Sequence, residues 1–128
     1  IHADIFPDNV FFKHKKFSGL IDFYFACNDF LSYDIALTIN AWCFNNNCEF
    51  SKNKFQSLIS GYQSIRILND NEKNNLSILL RGAALRILVT RLHDKIFHKD
   101  GVFVQPKNPY RYASILKYHH HTNVADYI

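Results

Sequence analysis

Three residues near the start of the chain have the types and spacing to work together chemically. Asp4 lies five positions before Asn9 in "HADIFPDNVFF", and Asp22 follows in "SGLIDFYF". If the two runs form a hairpin turning near Lys15-Lys16, Val10 faces Ile21 and Asn9 faces Asp22. Directly opposed residues of an antiparallel pair sit about 4.5–5.5 Å apart at Cβ. An amide oxygen and a carboxylate converging there suit a hard cation. Mg2+ takes one or two such protein oxygens and fills its remaining positions with water and phosphate. Asp4 is then expected on the intervening loop, close to the metal but free of it, where it can take a proton from an attacking hydroxyl. A base Asp, then an Asn and an Asp for metal, is the set that phosphoryl transfer from ATP requires.

Two further residues are expected to hold that loop. His2, two positions before Asp4, reads as a brace acting through hydrogen bonds. Asp34, in "SYDIALTIN" near a helix start, either caps the helix or reaches back to the loop. The spacing D-x-x-x-x-N in "DIFPDN", with His2 ahead of it, matches the catalytic loop of protein kinases.

The elements that must position these groups follow from periodicity. "NVFF" and "GLIDFYF" read as two β-strands joined by a basic turn. From Leu31 the period becomes helical, with Leu31, Ile35, Ile39 and Trp42 on one face. A second helix is expected after Ser51, with Phe55, Leu58, Ile59 and Tyr62 inward. The third and longest carries Leu76, Leu80, Ala83, Ile87 and Val89–Leu92, with Asn or Asp as its N-cap. "KDGVFVQPKNP" reads as a loop with room for a short strand, and Tyr110 to His121 as a last helix. The expected architecture is therefore α+β: a catalytic loop and β-hairpin followed by a mostly helical bundle, one unit over residues 1–128.

Composition excludes several functional classes. The 48% hydrophobic content suits a globular core. A net charge of +4, with basic residues scattered apart from "KHKK", is not the dense basic stripe of a nucleic-acid domain. No apolar run approaches the roughly 20 residues of a membrane span. Three cysteines, Cys27, Cys43 and Cys48, lack C-x-x-C spacing, which argues against a metal or disulfide framework and for a reducing cytoplasm. The pairs among His119–His121 and His93 with His98 lack zinc-site spacing, so structural or solvated roles are expected for them.

Beyond these patterns, "HADIFPDNVFF", "SGLIDFYFACNDFLSYDIALTINAWCF", "GYQSIRILNDNE", "LRGAALRILVTRLHD" and "NPYRYASILKYHHHTNVADYI" resemble the bacterial homoserine kinases. These have the aminoglycoside-phosphotransferase and choline-kinase fold, which is protein-kinase-like. The resemblance implies ATP- and Mg2+-dependent phosphorylation of the L-homoserine hydroxyl, a step of threonine synthesis. On it Asp4 matches the catalytic base, Asn9 and Asp22 the metal ligands. An amino-acid substrate also needs a partner for its carboxylate. Arg86 and Arg91 are candidates for that fork, with structural ion pairing as the other role open to them. Trp42 is expected either in the core or at the border of the substrate pocket.

The resemblance also implies another half, because the glycine-rich loop and strand Lys that hold ATP are not recognisable here. The chain starts at Ile1 without Met, and the expectation is a C-terminal lobe that lacks its N-terminal nucleotide-binding lobe, supplied in cis or in trans. Such a piece is expected to be inactive alone. Two other readings stay open: a different small-alcohol kinase of the same fold, acting on an aminoglycoside, choline or a sugar, and a non-catalytic remnant of a split or decayed kinase gene.

Overall fold

The computed structural model describes residues 1–98 and 105–128. The short strand anticipated after Lys99 falls largely outside them. A 3-10 turn at Pro7–Asn9 leads into an antiparallel hairpin of β1 (Val10–Lys13) and β2 (Lys16–Leu20). A second 3-10 turn at Phe23–Phe25 precedes four helices: α1 (Leu31–Trp42), α2 (Lys52–Gln63), α3 (Asp70–Ile96) and α4 (Tyr110–His121).

The hairpin departs from its expected register. Val10 pairs with Leu20, and the turn residues are His14 and Lys15, both left-handed at φ 49° and 62°. Two positive-φ residues in a two-residue loop match the right-handed twist of the strands. The turn thus sits one residue earlier than expected, and Asn9 does not face Asp22 across a ladder. Instead the Asn9 carbonyl accepts the Ile21 N–H at 3.0 Å. The second strand also ends sooner. Asp22 takes a left-handed conformation (φ 64°, ψ 64°) and turns Phe23–Phe25 out of the sheet. An Asp tolerates that conformation because its short polar side chain can bond locally.

The helices begin where local chemistry dictates. Asn69 accepts from Glu72 N–H while Glu72 accepts from Asn69 N–H, a reciprocal capping box at the start of α3. Ser51 caps α2 through Lys54 N–H. On α3, Leu76, Leu80, Ala83 and Ile87 are buried at helical spacing, together with Ala84. The apolar stripe stops there, since Val89 and Leu92 are exposed rather than inward. They lie in one row with exposed Leu85 and Ile96, on a different side of α3 from Ile87, Thr90, Arg91 and Asp94, which border the cleft. From α1 the core takes Ile35, Ala36, Leu37 and Ile39, and α4 contributes Tyr112 and Ile115. Fully buried Ala36, Ala83 and Ala84 let the α1 and α3 backbones approach closely.

One polar contact crosses this core. Asn40 on α1 donates to the Leu80 carbonyl on α3 at 2.9 Å and accepts from His119 Nε2 on α4 at 2.7 Å. That buried connection fixes α1 relative to its neighbours, which matters because α1 holds the loop in front of it. It also accounts for His119 structurally. Among the described residues no group of three or more His, Cys, Asp or Glu is arranged to hold a metal.

Candidate active site

The loop from His2 to Asn9 carries almost no regular secondary structure, so its backbone groups need partners from elsewhere. Asp34 supplies two of them. Its carboxylate accepts His2 N–H at 3.1 Å and Ala3 N–H at 2.8 Å. Asp34 therefore ties down the loop and does not cap α1, whose N-cap Phe30 makes no side-chain cap. These two bonds, one at His2 and one at Ala3, also compensate the left-handed backbone of Ala3 (φ 62°), uncommon for a residue with a Cβ.

His2 is buried and used at both ring nitrogens. Nδ1 accepts Asp4 N–H at 3.2 Å, which puts the ring proton on Nε2, 3.0 Å from the Ile21 carbonyl. Phe23 packs edge-on against the ring at 4.5 Å. The imidazole thus links the loop of Asp4 to the residue before Asp22, as a brace with no free nitrogen for proton transfer.

Asn9 is buried, and its amide nitrogen donates to both the Asp4 carbonyl (2.8 Å) and Asp4 Oδ2 (2.9 Å). With both N–H bonds committed, the only group Asn9 has left to offer is its Oδ1 acceptor. That is the atom a hard cation takes. Asp4 itself is half-buried, with one carboxylate oxygen fixed by Asn9 and Oδ1 unengaged among the described residues. Asp22 is exposed and forms no ion pair among the described residues.

Asp4, Asn9, Asp22, Phe25, Arg86 and Arg91 are all on the wall of one cleft of about 680 Å3 between the loop and α3. Such a volume suits a small-molecule site. The two arginines are engaged differently. Arg86 donates to the Ala3 carbonyl at 3.3 Å and lies over the Phe25 ring. Arg91 is half-buried, stacks on Tyr112 at 4.6 Å and donates to the Asn108 carbonyl. Burial pulls its guanidinium below the ordinary arginine pKa. Burial likewise pushes the Tyr112 phenol up to about 12. Neither arginine forms a salt bridge among the described residues.

Residues 1–68 match the model of the phosphotransferase enzyme family. The chain belongs to that family. The matched span contains His2, Asp4, Asn9, Asp22 and Asp34, and leaves out the two arginines. This family member is also similar to curated homoserine kinases. It is 51% identical over 119 residues to the homoserine kinase of Sinorhizobium fredii, covering 93% of this chain and 36% of that protein. For the homoserine kinase of Rhodospirillum rubrum the identity is 50%, covering 93% and 37%. For that of Chelativorans sp. it is 47% over 125 residues, covering 98% and 39%. The chain thus spans little more than a third of the length of these relatives.

Sequence patterns did not reveal two contacts at the site. The Trp42 indole donates to the Ile5 carbonyl at 2.8 Å, which makes it neither a plain core residue nor a wall of the cleft. Asp8 pairs with Lys107 at 2.7 Å, joining the loop to the segment before α4. For Trp42 a signal existed, because a half-buried indole N–H needs an acceptor and the loop offers carbonyls. The Asp8 pair spans 99 residues, and no local pattern announces it.

Proposed function

We propose that this chain carries the catalytic base and cation-binding groups of an ATP- and Mg2+-dependent kinase that phosphorylates the side-chain hydroxyl of L-homoserine. The observation that carries the reading is the Asp4–Asn9 unit. Asn9 fixes one oxygen of the Asp4 carboxylate, and the other has no hydrogen-bond partner among the described residues. Both residues line the cleft, and Asn9 keeps its own Oδ1 for a cation. The donor chemistry fits Mg2+, because Asn9 Oδ1 and the Asp22 carboxylate form a small all-oxygen set that water and ATP phosphates complete.

In this reading Asp4 orients the substrate hydroxyl and accepts its proton. The hydroxyl oxygen bonds to the γ-phosphorus of ATP as the bond to ADP breaks. The cation, when bound, neutralises charge on the transferring group. Arg91 is the better placed partner for an amino-acid carboxylate, with a half-buried guanidinium and, among the described residues, one donor engaged by the Asn108 carbonyl. Arg86 already serves the Ala3 carbonyl and Phe25. The choice of homoserine is supported by the relatives, which are homoserine kinases, and the amino-acid class by Arg91.

The relatives' greater length and the apolar face over Phe11–Leu31 support a further unit that packs there and encloses the nucleotide. The experiment is ADP release by the full-length protein with MgATP and a panel of alcohols: L-homoserine, choline, an aminoglycoside and a sugar. Homoserine-dependent turnover that Asp4→Asn reduces by about 100-fold or more supports the proposal. Preference for another alcohol overturns the substrate, and an active Asp4→Asn variant overturns the assignment of the base.

A further inference from the structure

We propose that Trp42 is a positioning residue for Asp4, acting through the peptide carbonyl on the far side of the base. The inference rests on Asp4 being the base. Around that residue, three successive carbonyls are each held by a side-chain donor from a different part of the fold. Ala3 O takes Arg86 Nη1 from α3 at 3.3 Å, Asp4 O takes Asn9 Nδ2 at 2.8 Å, and Ile5 O takes Trp42 Nε1 from α1 at 2.8 Å. Fixing the three peptide planes from residue 3 to residue 6 fixes the backbone torsions on either side of the base. With them it sets the direction of the Asp4 carboxylate.

Of the two helical donors, Trp42 is the stiffer. An indole has two side-chain torsions and a bulky ring that packing immobilises, whereas an arginine reaches through a flexible stem. Trp42 is clamped from a second direction by Phe12 of β1, whose ring meets it edge-on at 6.4 Å. The same side chain therefore touches the loop of the base and the hairpin that leads toward Asp22. It sits in the last turn of α1, while Asp34, in the first turn, anchors Ala3. One helix thus holds the loop at two points on either side of Asp4. The Trp42 N–H is no part of the reacting set. Its effect is on where Asp4 points, and displacing a base by about 1 Å costs on the order of 100-fold in rate.

The test replaces Trp42 in the full-length protein by Phe, and separately by benzothienylalanine, which keeps the indole shape and carries sulfur in place of N–H. Asp4→Asn is measured alongside. Turnover is counted per folded active site, well below the melting temperature. Trp42→Phe and the isostere are each expected to lower kcat by about tenfold, with KM for both substrates within twofold. An isostere as active as the parent overturns the proposal, since shape alone would then account for Trp42. A fall that follows only the fraction folded overturns it as well. Failure of the underlying reading looks different, because Asp4→Asn would then keep its activity whatever Trp42 does.

Discussion

The loop around Asp4 and the segment around Asp22 border the same cleft, yet they are built in opposite ways. The loop is half-buried and its polar groups are engaged by Asp34, His2, Asn9, Arg86 and Trp42. From Ile21 to Leu31 every residue is exposed, including Phe23, Tyr24, Phe25 and Phe30. Its hydrogen bonds back to the rest of the chain are at its start and at Cys27, from Ile21 to His2 and Asn9 and from Cys27 to Ile1. Phe23 against His2 and Phe25 under Arg86 add ring contacts. The difference separates two tasks. On the proposed function, Asp4 as the base is aimed by interactions within this chain. On the same proposal, holding a cation against a nucleotide would fall to an exposed carboxylate beside a row of exposed aromatic rings. Large exposed apolar patches mark surfaces that are meant to be covered.

The strongest way to break this contrast is to remove one carboxylate from each side. Asp34→Ala strands the N–H groups of His2 and Ala3 in a half-buried loop and is expected to cost about 2–4 kcal/mol of stability. Asp22→Asn touches no anchoring bond, so its unfolding midpoint should stay within about 0.5 kcal/mol of the parent. Its effect should appear in the full-length protein as a raised Mg2+ requirement and a large loss of kcat. Urea denaturation of both variants, beside Mg2+ titrations of activity, checks the pair. Equal destabilisation by the two changes would erase the distinction between a braced half and an uncovered half.

The braced half was also the more legible in sequence. Asp4 and Asn9 stand out there because their types and spacing match what phosphoryl transfer would need, with Asp22 as their expected partner, and the structure brings the three to one cleft. Asp34 reads as a cap or a loop anchor, and it is the anchor. The hairpin was legible as a hairpin, but its register was not. A "KHKK" turn carries no Gly or Asn to fix which two residues take positive φ, and the exposed aromatics give both strand faces similar character. The helices α1, α2 and α4 were readable from apolar spacing. In α3 apolar composition overran, since Val89 and Leu92 belong to an outer row with Leu85 and Ile96 that residue type alone does not separate from the core row. Arg86 and Trp42 stayed ambiguous for a common reason. Their partners are backbone carbonyls distant in sequence, and a carbonyl has no residue type to recognise.

A second, smaller effect tests whether the brace depends on the core behind it. Burial lowers the His119 pKa from its ordinary 6.5 to about 4, with Arg81 adding repulsion. Nε2 faces Asn40, Nδ1 has no partner among the described residues, and Phe44 and Tyr118 pack against the ring. A folded pKa below the unfolded one means that the unfolded chain binds the extra proton first. The stabilisation is full above about pH 6.5 and is lost as pH falls toward about 4, by roughly 2–3 kcal/mol. His119→Gln should flatten that part of the stability–pH curve. Because Asn40 links His119 to α1, hydrogen exchange at acid pH should rise in the loop anchored by Asp34 before it rises in α2. Equal protection of the loop at both pH values would uncouple the brace from the core.

The smallest effect expected is at Asp8 and Lys107, which close the loop side of the cleft at its rim. Both side chains are more than half exposed, at 69% and 60%, so their 2.7 Å ion pair is screened by water. Hydrogen bonding to Lys107, and then its charge, hold the Asp8 carboxyl below the ordinary aspartate pKa. That sign makes the pair stabilising above the ordinary value and lost as pH falls through the lowered one. Its worth should still be under about 0.5 kcal/mol. Lys107→Ala should therefore leave the unfolding midpoint nearly unchanged while the Asp8 pKa, followed by carboxyl NMR, rises toward its ordinary value. A destabilisation approaching that of Asp34→Ala would show that the rim carries part of the load. In that case the loop would be held from the α4 side as well as from α1, and the contrast between the two halves would have to include the segment that carries Lys107.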